Sequence, residues 1–151
     1  MIRMKRVHRD GRYHKRSGKE WISARDASFE RAGGICEVSG EDLFLVIHGE
    51  DCTDGNCQLF DEGYCRTVWR RACHHIIAER YVRKFFPGVS PHIAENLVAV
   101  TTSLHSRLTA AENRLFKADW LGYRRELHRL GMDLAILDRA FSALCAAEKK
   151  K

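Results

Sequence analysis

Three histidines and an asparagine have types and spacing that suit one chemical task. His74 and His75 are adjacent, and His105 lies nine residues beyond Asn96. Neutral imidazole binds divalent transition metals and, with an ordinary pKa of about 6.5, accepts protons just above neutral pH. Phosphodiester hydrolysis needs a cation to neutralise charge on the phosphate and a base to deprotonate water. The four residues therefore predict metal-assisted cleavage of a phosphodiester.

The surrounding pattern predicts the elements that must position these side chains. Residues 67–77 are rich in β-branched, aromatic and apolar types and predict a strand that ends in the histidine pair. A loop should follow the first strand, punctuated by proline, glycine and serine between residues 87 and 91, and residues 96–100 predict a second short strand. A helix capped within residues 101–103 should follow, with apolar residues spaced four, three and four apart. His105, in its first turn, is expected to face the hairpin.

The adjacency of His74 and His75 raises a geometric requirement. Successive side chains on a regular strand point to opposite faces of the sheet. If both imidazoles serve one pocket, the strand must bend or bulge at its end.

These residues resemble the HNH or His-Me finger endonucleases, whose core is a β-hairpin and a helix around one metal ion. That family has an acidic residue or histidine before a second histidine and usually isoleucine. Asparagine-leucine follows, and a further histidine lies nine residues beyond the asparagine. The chain has His74-His75-Ile76, then Asn96-Leu97, then His105. Residues 24–36 also resemble the family's short helix that ends in glycines before a cysteine, so the resemblance covers residues 24–109.

The resemblance implies a role for each matched residue. His75 would be the general base, His74 and His105 would bind the metal, and Asn96 would hold the loop between the strands. The expected cofactor is one divalent cation, most plausibly Mg²⁺, with Mn²⁺, Ni²⁺ or Zn²⁺ also acceptable to imidazole. The expected substrate is double-stranded DNA, cut to leave a 5′-phosphate and a 3′-hydroxyl. Basic side chains near the hairpin are the candidates for contacting DNA: Arg70, Arg71, Arg80, Arg83 and Lys84.

The cysteines depart from the family pattern. Many members hold a structural zinc with two C-x-x-C knuckles, but here these positions are Cys36 with Ser39 and Thr101 with Leu104. Because only one of the four is a good zinc ligand, we expect no zinc there. The default for the others is a reduced, partly buried thiol, with a displaced zinc site as the alternative. The cysteines of that alternative are Cys52, Cys57, Cys65 and Cys73.

Charge divides the chain unevenly. Residues 1–20 hold eight Lys or Arg and two acidic residues, a net +6 that equals the charge of the whole protein. Such a basic arm gains affinity for a polyanion by releasing condensed counterions. Residues 41–62 are the opposite, with seven acidic side chains and neither Lys nor Arg. We expect residues 41–62 to be an acidic loop turned away from DNA, with a short strand at Phe44 to Ile47.

The C-terminal third is predicted to be helical. Asp119 should cap a helix that ends at Gly131 and packs through Trp120, Leu121, Leu127 and Leu130. A last helix has apolar residues at 134, 137, 141 and 144 on one face.

The predicted architecture is α+β, a ββα-metal finger embedded in a mainly helical small domain. Its parts would be a basic arm over residues 1–20, a nuclease core over 21–118 and packing helices over 119–151. The 151 residues, 44% of them hydrophobic, are enough for one core without a metal staple.

Two other classes of function are compatible with the same sequence. One is a nucleic-acid-binding module that kept the finger without the chemistry, and the other is a structural Cys/His metal domain for protein contacts. No secretory signal or membrane-spanning run is visible, so a cytoplasmic location is expected. The histidines outside the motif are expected to be solvated or locally bonded; they are His8, His14, His48, His92 and His128. The oligomeric state is left open.

Overall fold

The computed structural model of the chain describes residues 18–49, 52, 65–114 and 119–150. Within those ranges the architecture is α+β, as predicted, with five α-helices and two antiparallel two-stranded sheets. The first half comprises α1 (Lys19–Ala32), β1 (Phe44–Ile47), β2 (Arg66–Trp69), β3 (Arg71–His75) and α2 (Glu79–Phe85). The second half comprises a 3₁₀ turn (Ala94–Asn96), β4 (Leu97–Thr101), α3 (Thr102–Arg114), α4 (Trp120–Arg129) and α5 (Leu134–Lys149). The basic arm before residue 18, most of the acidic loop and Cys57 lie outside the described residues.

Two glycines end α1 and turn the chain toward β1. Gly33 adopts the left-handed conformation at φ 60°, and its N–H donates to the carbonyls of Phe29 and Glu30. Gly34 follows at φ 89°, where an added Cβ would lie 3.3 Å from the ring of Phe44. The left-handed backbone conformation therefore favours glycine here, and a larger residue would also require the Phe44 ring to shift by a few tenths of an ångström. The predicted helix ending in glycines is confirmed, although it begins earlier, at Lys19.

The prediction of one continuous strand over residues 67–77 is wrong, because this segment contains two separate strands, β2 and β3. β2 pairs with β1, while β3 pairs with β4 in a separate sheet. The chain changes partners at Arg70, whose N–H donates to the carbonyl of Leu43 and whose carbonyl accepts from the N–H of Thr102. The predicted strand at Phe44 to Ile47 is confirmed as β1.

β3 and β4 form a regular antiparallel hairpin that leads directly into α3. Five consecutive pairs run from Arg71 with Thr101 to His75 with Leu97. Of the predicted capping residues, Thr101 accepts the N–H of Leu104 through its hydroxyl at 3.2 Å. Leu104 and Leu108 are buried, as the helical spacing predicted.

α2 lies where a loop was predicted. Tyr81 and Val82 of this seven-residue helix are buried, and Gly88 at φ 77° follows its end. The burial of these two side chains stabilises a helix too short to form alone.

The two C-terminal helices share a buried cluster with the β3–β4 sheet. Asp119 caps α4 as predicted, its carboxylate accepting the N–H of Gly122 at 2.7 Å. The packing stripe of α4 differs from the prediction, because Leu121 is 67% exposed while Tyr123 is fully buried. The predicted packing stripe of α5 is confirmed at Leu137 and Leu144, which are both fully buried. The cluster's members include Ile76, Val98, Leu108, Tyr123, Leu127, Met132, Leu137 and Leu144.

Candidate active site

The end of β3 places His74 and His75 on opposite faces of the hairpin. The pairing of β3 with β4 continues to His75 without an extra residue. The prediction of a bend or bulge at the histidine pair is therefore wrong. On one face, α1 packs Trp21 against Cys73 and stacks it on the ring of His75 at 5.3 Å. On the other face, His74 contacts residues of α3. The two imidazoles thus occupy different surroundings although they are neighbours in sequence.

His74 meets His105 and a carboxylate from α3. The ring centroids of His74 and His105 lie 5.2 Å apart, nearly perpendicular. The Nε2 of His74 lies 2.8 Å from Oε1 of Glu112, and both residues are buried. The hydroxyl of Tyr123, 3.1 Å from the same Oε1, links this carboxylate to α4. Burial, together with this carboxylate, raises the pKa of Tyr123 well above its ordinary value, so the hydroxyl keeps its proton.

His75 is surrounded by a second set of groups. Its Nε2 lies 3.0 Å from Nδ1 of His92, and its Nδ1 lies 3.9 Å from Oε1 of Glu79. Only 7% of His75 is exposed, so the residue is buried among these groups. Trp21 packs beside both rings, 5.3 Å from that of His75 and 5.5 Å from that of His92.

Two groups of three metal-ligating side chains occur within the described ranges. In each, the donor atoms lie within 4.8 Å of one another. One is His75, Glu79 and His92, and the other is His48, Cys52 and Cys65. A divalent metal is therefore compatible with this chain's side chains. His74 and His105, the predicted ligands, belong to neither group and pair with each other instead.

Asn96 ties together the two ends of the segment between β3 and β4. It is fully buried, and its Oδ1 accepts the N–H of Ile77 at 2.9 Å. Its Nδ2 donates to the carbonyls of Ile77 at 3.1 Å and Pro91 at 3.0 Å. These bonds hold the chain just after His75 against the chain just before β4.

The three basic candidates in α2 follow the histidine pair and are exposed. Arg80 donates to Oδ1 of Asn113 at 3.0 Å, and Arg83 lies 3.5 Å from the carboxylate of Glu79. Lys84 lies 5.2 Å from the ring of Phe85. This cluster is therefore at the His75 end of the hairpin.

The other two basic candidates lie at the opposite end of β3. His75 lies four residue steps along β3 from Arg71, about 13 Å at roughly 3.3 Å per residue. The guanidinium of Arg71 lies 4.2 Å from the ring centroids of both Phe29 and Trp69, which hold it between two aromatic side chains. Arg70 is exposed beside it.

The positions of the family's zinc knuckles are occupied by other interactions. The Ser39 hydroxyl donates to Glu41, the Thr101 hydroxyl caps α3, and Leu104 lies in the core. The Sγ of Cys36 accepts the N–H of Ser39 at 3.4 Å. Burial would raise the pKa of Cys36, but hydrogen bonds from Ser39 and neighbouring backbone groups outweigh it and lower the pKa.

Of the four cysteines in the alternative zinc site, the structure brings two together. Cys52 and Cys65 both lie near His48. Cys73 lies apart, packed against Trp21 and Leu97, where burial raises the pKa of its thiol to about 11. Cys57 is outside the described residues.

Sequence reasoning missed Glu112, Glu79, His92 and His48 as members of these clusters. One of them had a usable pattern, since Glu112 lies seven residues after His105 and so on the same face of α3. His92 lies in a loop, where no periodicity relates it to His75.

No protein-family model, curated protein or solved structure matches this chain. None of the helices in the described part of the chain is both long enough and apolar enough to cross a membrane.

Proposed function

We propose that the chain is a metal-dependent endonuclease that hydrolyses phosphodiester bonds in double-stranded DNA, with β3, β4 and α3 as a ββα-metal finger. One observation carries this proposal. His105 and His74, distant in sequence, lie with ring centroids 5.2 Å apart where α3 packs on the end of β3. The family spacing of Asn96 and His105 predicts this meeting.

His74 and His105 would hold the cation. A metal-binding histidine commonly donates its second ring N–H to a carboxylate, which fixes the tautomer and raises the basicity of the ligating nitrogen. Glu112 stands in that relation to Nε2 of His74, so Nδ1 would be the ligating atom. Water and phosphate oxygens would complete the coordination of Mg²⁺ or Mn²⁺. The cation would neutralise charge on the phosphate and on the leaving oxygen.

His75 would accept the proton of the attacking water. If its Nε2–H donates to Nδ1 of His92, 3.0 Å away, the lone pair lies on Nδ1 of His75. Glu79 is 3.9 Å from that Nδ1, beyond direct hydrogen-bonding distance. Asn96 fixes the backbone immediately after this base.

Because His74 and His75 lie on opposite faces of β3 and not in one pocket, the reaction would require a phosphate that reaches both from the end of the strand. In phosphoryl transfer the attacking and leaving oxygens lie roughly in line on opposite sides of phosphorus. A phosphate placed across the end of β3 would have the base on one side and the cation on the other. Arg80 and Arg83, exposed in α2 at the same end, would contact neighbouring phosphates.

Plasmid cleavage tests the proposal. Supercoiled DNA is incubated with the full chain in Mg²⁺, Mn²⁺ or EDTA, and the 5′ and 3′ ends of the products are mapped. We expect nicking that needs the metal and leaves a 5′-phosphate and a 3′-hydroxyl. DNA retention without cleavage would instead identify a binding module, and cleavage that persists in EDTA would exclude the proposed mechanism.

A further inference from the structure

A cluster of soft metal donors lies at the open end of the β1–β2 hairpin, in a different sheet from His74. His48 directly follows β1 and Cys65 directly precedes β2, one step beyond the pair Ile47 and Arg66. Cys52 lies in the connection. The Nδ1 of His48 is 3.5 Å from Sγ of Cys52 and 3.9 Å from Sγ of Cys65.

We propose that His48, Cys52 and Cys65 bind a structural zinc ion. Zinc bonds of about 2.3 Å to sulfur and about 2.0 Å to nitrogen place tetrahedral ligands about 3.6 Å apart. The two nitrogen–sulfur distances fall on either side of this value, so an ion fits between the side chains with small shifts. Thiolate and imidazole donors favour zinc over Mg²⁺, which prefers oxygen.

Local geometry supports ligation. His48 and Cys52 have three intervening residues, within the spacing usual for a zinc knuckle. The backbone N–H of Gly49 donates to Sγ of Cys65 at 3.4 Å, which holds this sulfur beside the turn that carries His48. Spacings between cysteines alone do not reveal this knuckle, because its first ligand is a histidine.

The β1–β2 hairpin is short and poorly buried, so a bound ion would stabilise it. β1 and β2 have four residues each, and Leu45, Ile47 and Trp69 remain 42%, 43% and 49% exposed. A two-stranded hairpin with so little burial is marginal by itself. An ion joining the residue after β1 to the residue before β2 would hold the strand ends together, and binding would stabilise the folded state.

Metal analysis of the purified full chain tests this site. We expect about one zinc ion per chain, retained in Cys145→Ser and lost in Cys52→Ser and Cys65→Ser. Cys145 is the matched control because it lies in α5, a different element. Replacement of zinc by Co²⁺ should produce thiolate-to-cobalt charge-transfer absorption, which His75, Glu79 and His92 cannot produce because they contain no sulfur. A wild type that contains no zinc and does not take up Co²⁺ with this absorption would overturn the proposal. Cys52→Ser and Cys65→Ser variants that keep both the zinc and the cobalt absorption would also overturn it.

A measurement on the wild type guards against variants that fail to fold. Alkylation of Cys52 is followed by peptide mass mapping with zinc and after chelation. We expect zinc to slow the modification at least tenfold, and equal rates would contradict ligation by this thiol. Neither experiment depends on cleavage of DNA, so the zinc site and the nuclease can fail separately.

Discussion

His74 and His75 show how one strand presents two imidazoles to different chemical partners. Residue types and the nine-residue spacing of Asn96 and His105 were enough to predict that His105 approaches the histidine pair. They could not predict which of the two it meets, because that depends on how α3 packs on β3. Because the strand is regular, His105 and Glu112 lie beside His74, whereas His92 and Glu79 lie beside His75.

Glu112→Gln should weaken metal binding without removing a ligand. The buried carboxylate is 2.8 Å from Nε2 of His74, and loss of such a partner commonly costs 10- to 100-fold in metal affinity. We expect a comparable rise in the Mn²⁺ concentration that gives half-maximal cleavage. Glu126→Gln is the control, since Glu126 pairs with Arg129 on the surface of α4. An unchanged metal requirement in Glu112→Gln would place the cation elsewhere.

The His92→Ala variant distinguishes a role of His75 as the general base from a role of His75 as a metal ligand. If His92 only orients the ring of His75, its removal should lower the cleavage rate about tenfold, less than the roughly 10²- to 10⁴-fold that a positioned base itself contributes. The metal concentration for half-maximal cleavage should stay the same. A large increase in that concentration would mean that His75, Glu79 and His92 hold the cation, contrary to the roles proposed for His74 and His105.

At the scale of elements, Glu37 and two arginines join α1, β4 and α5. Arg31 of α1 binds Glu37 at 2.6 Å and donates to the carbonyl of Leu97, also at 2.6 Å. Glu37 accepts the N–H of Ala99 at 2.8 Å, and Arg139 of α5 lies 3.6 Å from its carboxylate. These groups cover the outer edge of β4, whose backbone would otherwise stay unpaired.

Glu37→Gln should make stability less dependent on acid pH. Burial would raise the pKa of Glu37, but Arg31, the Ala99 N–H and Arg139 outweigh it and lower the pKa below 4.5. The folded state therefore gains stability from the carboxylate above pH 4.5 and loses it as pH falls through the lower, folded pKa. We expect the variant to unfold about 1–3 kcal/mol more easily at neutral pH. Urea unfolding should show that the difference in unfolding free energy between the wild type and the variant narrows in acid. A difference that stays constant with pH would contradict the lowered pKa of Glu37.

Elements marked by local patterns could be predicted, and elements created by distant contacts could not. The cap at Asp119 and the apolar spacing of α5 are local, and both predictions were confirmed. The break between β2 and β3 depends on Arg70 pairing with Leu43 and Thr102, which are remote in sequence. α2 was missed because burial of Tyr81 and Val82, rather than local propensity, stabilises it.

For the whole molecule, one buried cluster joins the β3–β4 hairpin to α4 and α5. Tyr123 of α4 lies 3.0 Å from the Ile76 carbonyl and accepts the Ala78 N–H at 3.2 Å, just beyond the histidine pair. The C-terminal helices thus support the segment that carries the proposed base. The capping residue and the apolar spacing predict helices here, but not this tyrosine contact.

Removal of residues 1–17 should reduce DNA affinity more at low salt than at high salt. Those residues hold seven Lys or Arg. For every phosphate that the arm neutralises, its removal should make the slope of log affinity against log salt shallower by about 0.9. Fluorescence anisotropy across a salt series measures this slope, with metal-dependent cleavage by the truncated chain as the control. An unchanged slope would show that the arm does not bind DNA.

The most direct test of the nuclease is the rate of plasmid nicking in Mn²⁺ by the wild type, His75→Ala and His128→Ala. His128 is an exposed histidine of α4, so its loss controls for general effects of histidine removal. We predict that the wild type and His128→Ala nick DNA at similar rates, whereas His75→Ala is slower by about 10²- to 10⁴-fold, the usual contribution of a general base. Equal rates for His75→Ala and the wild type, with both proteins folded, would contradict the account.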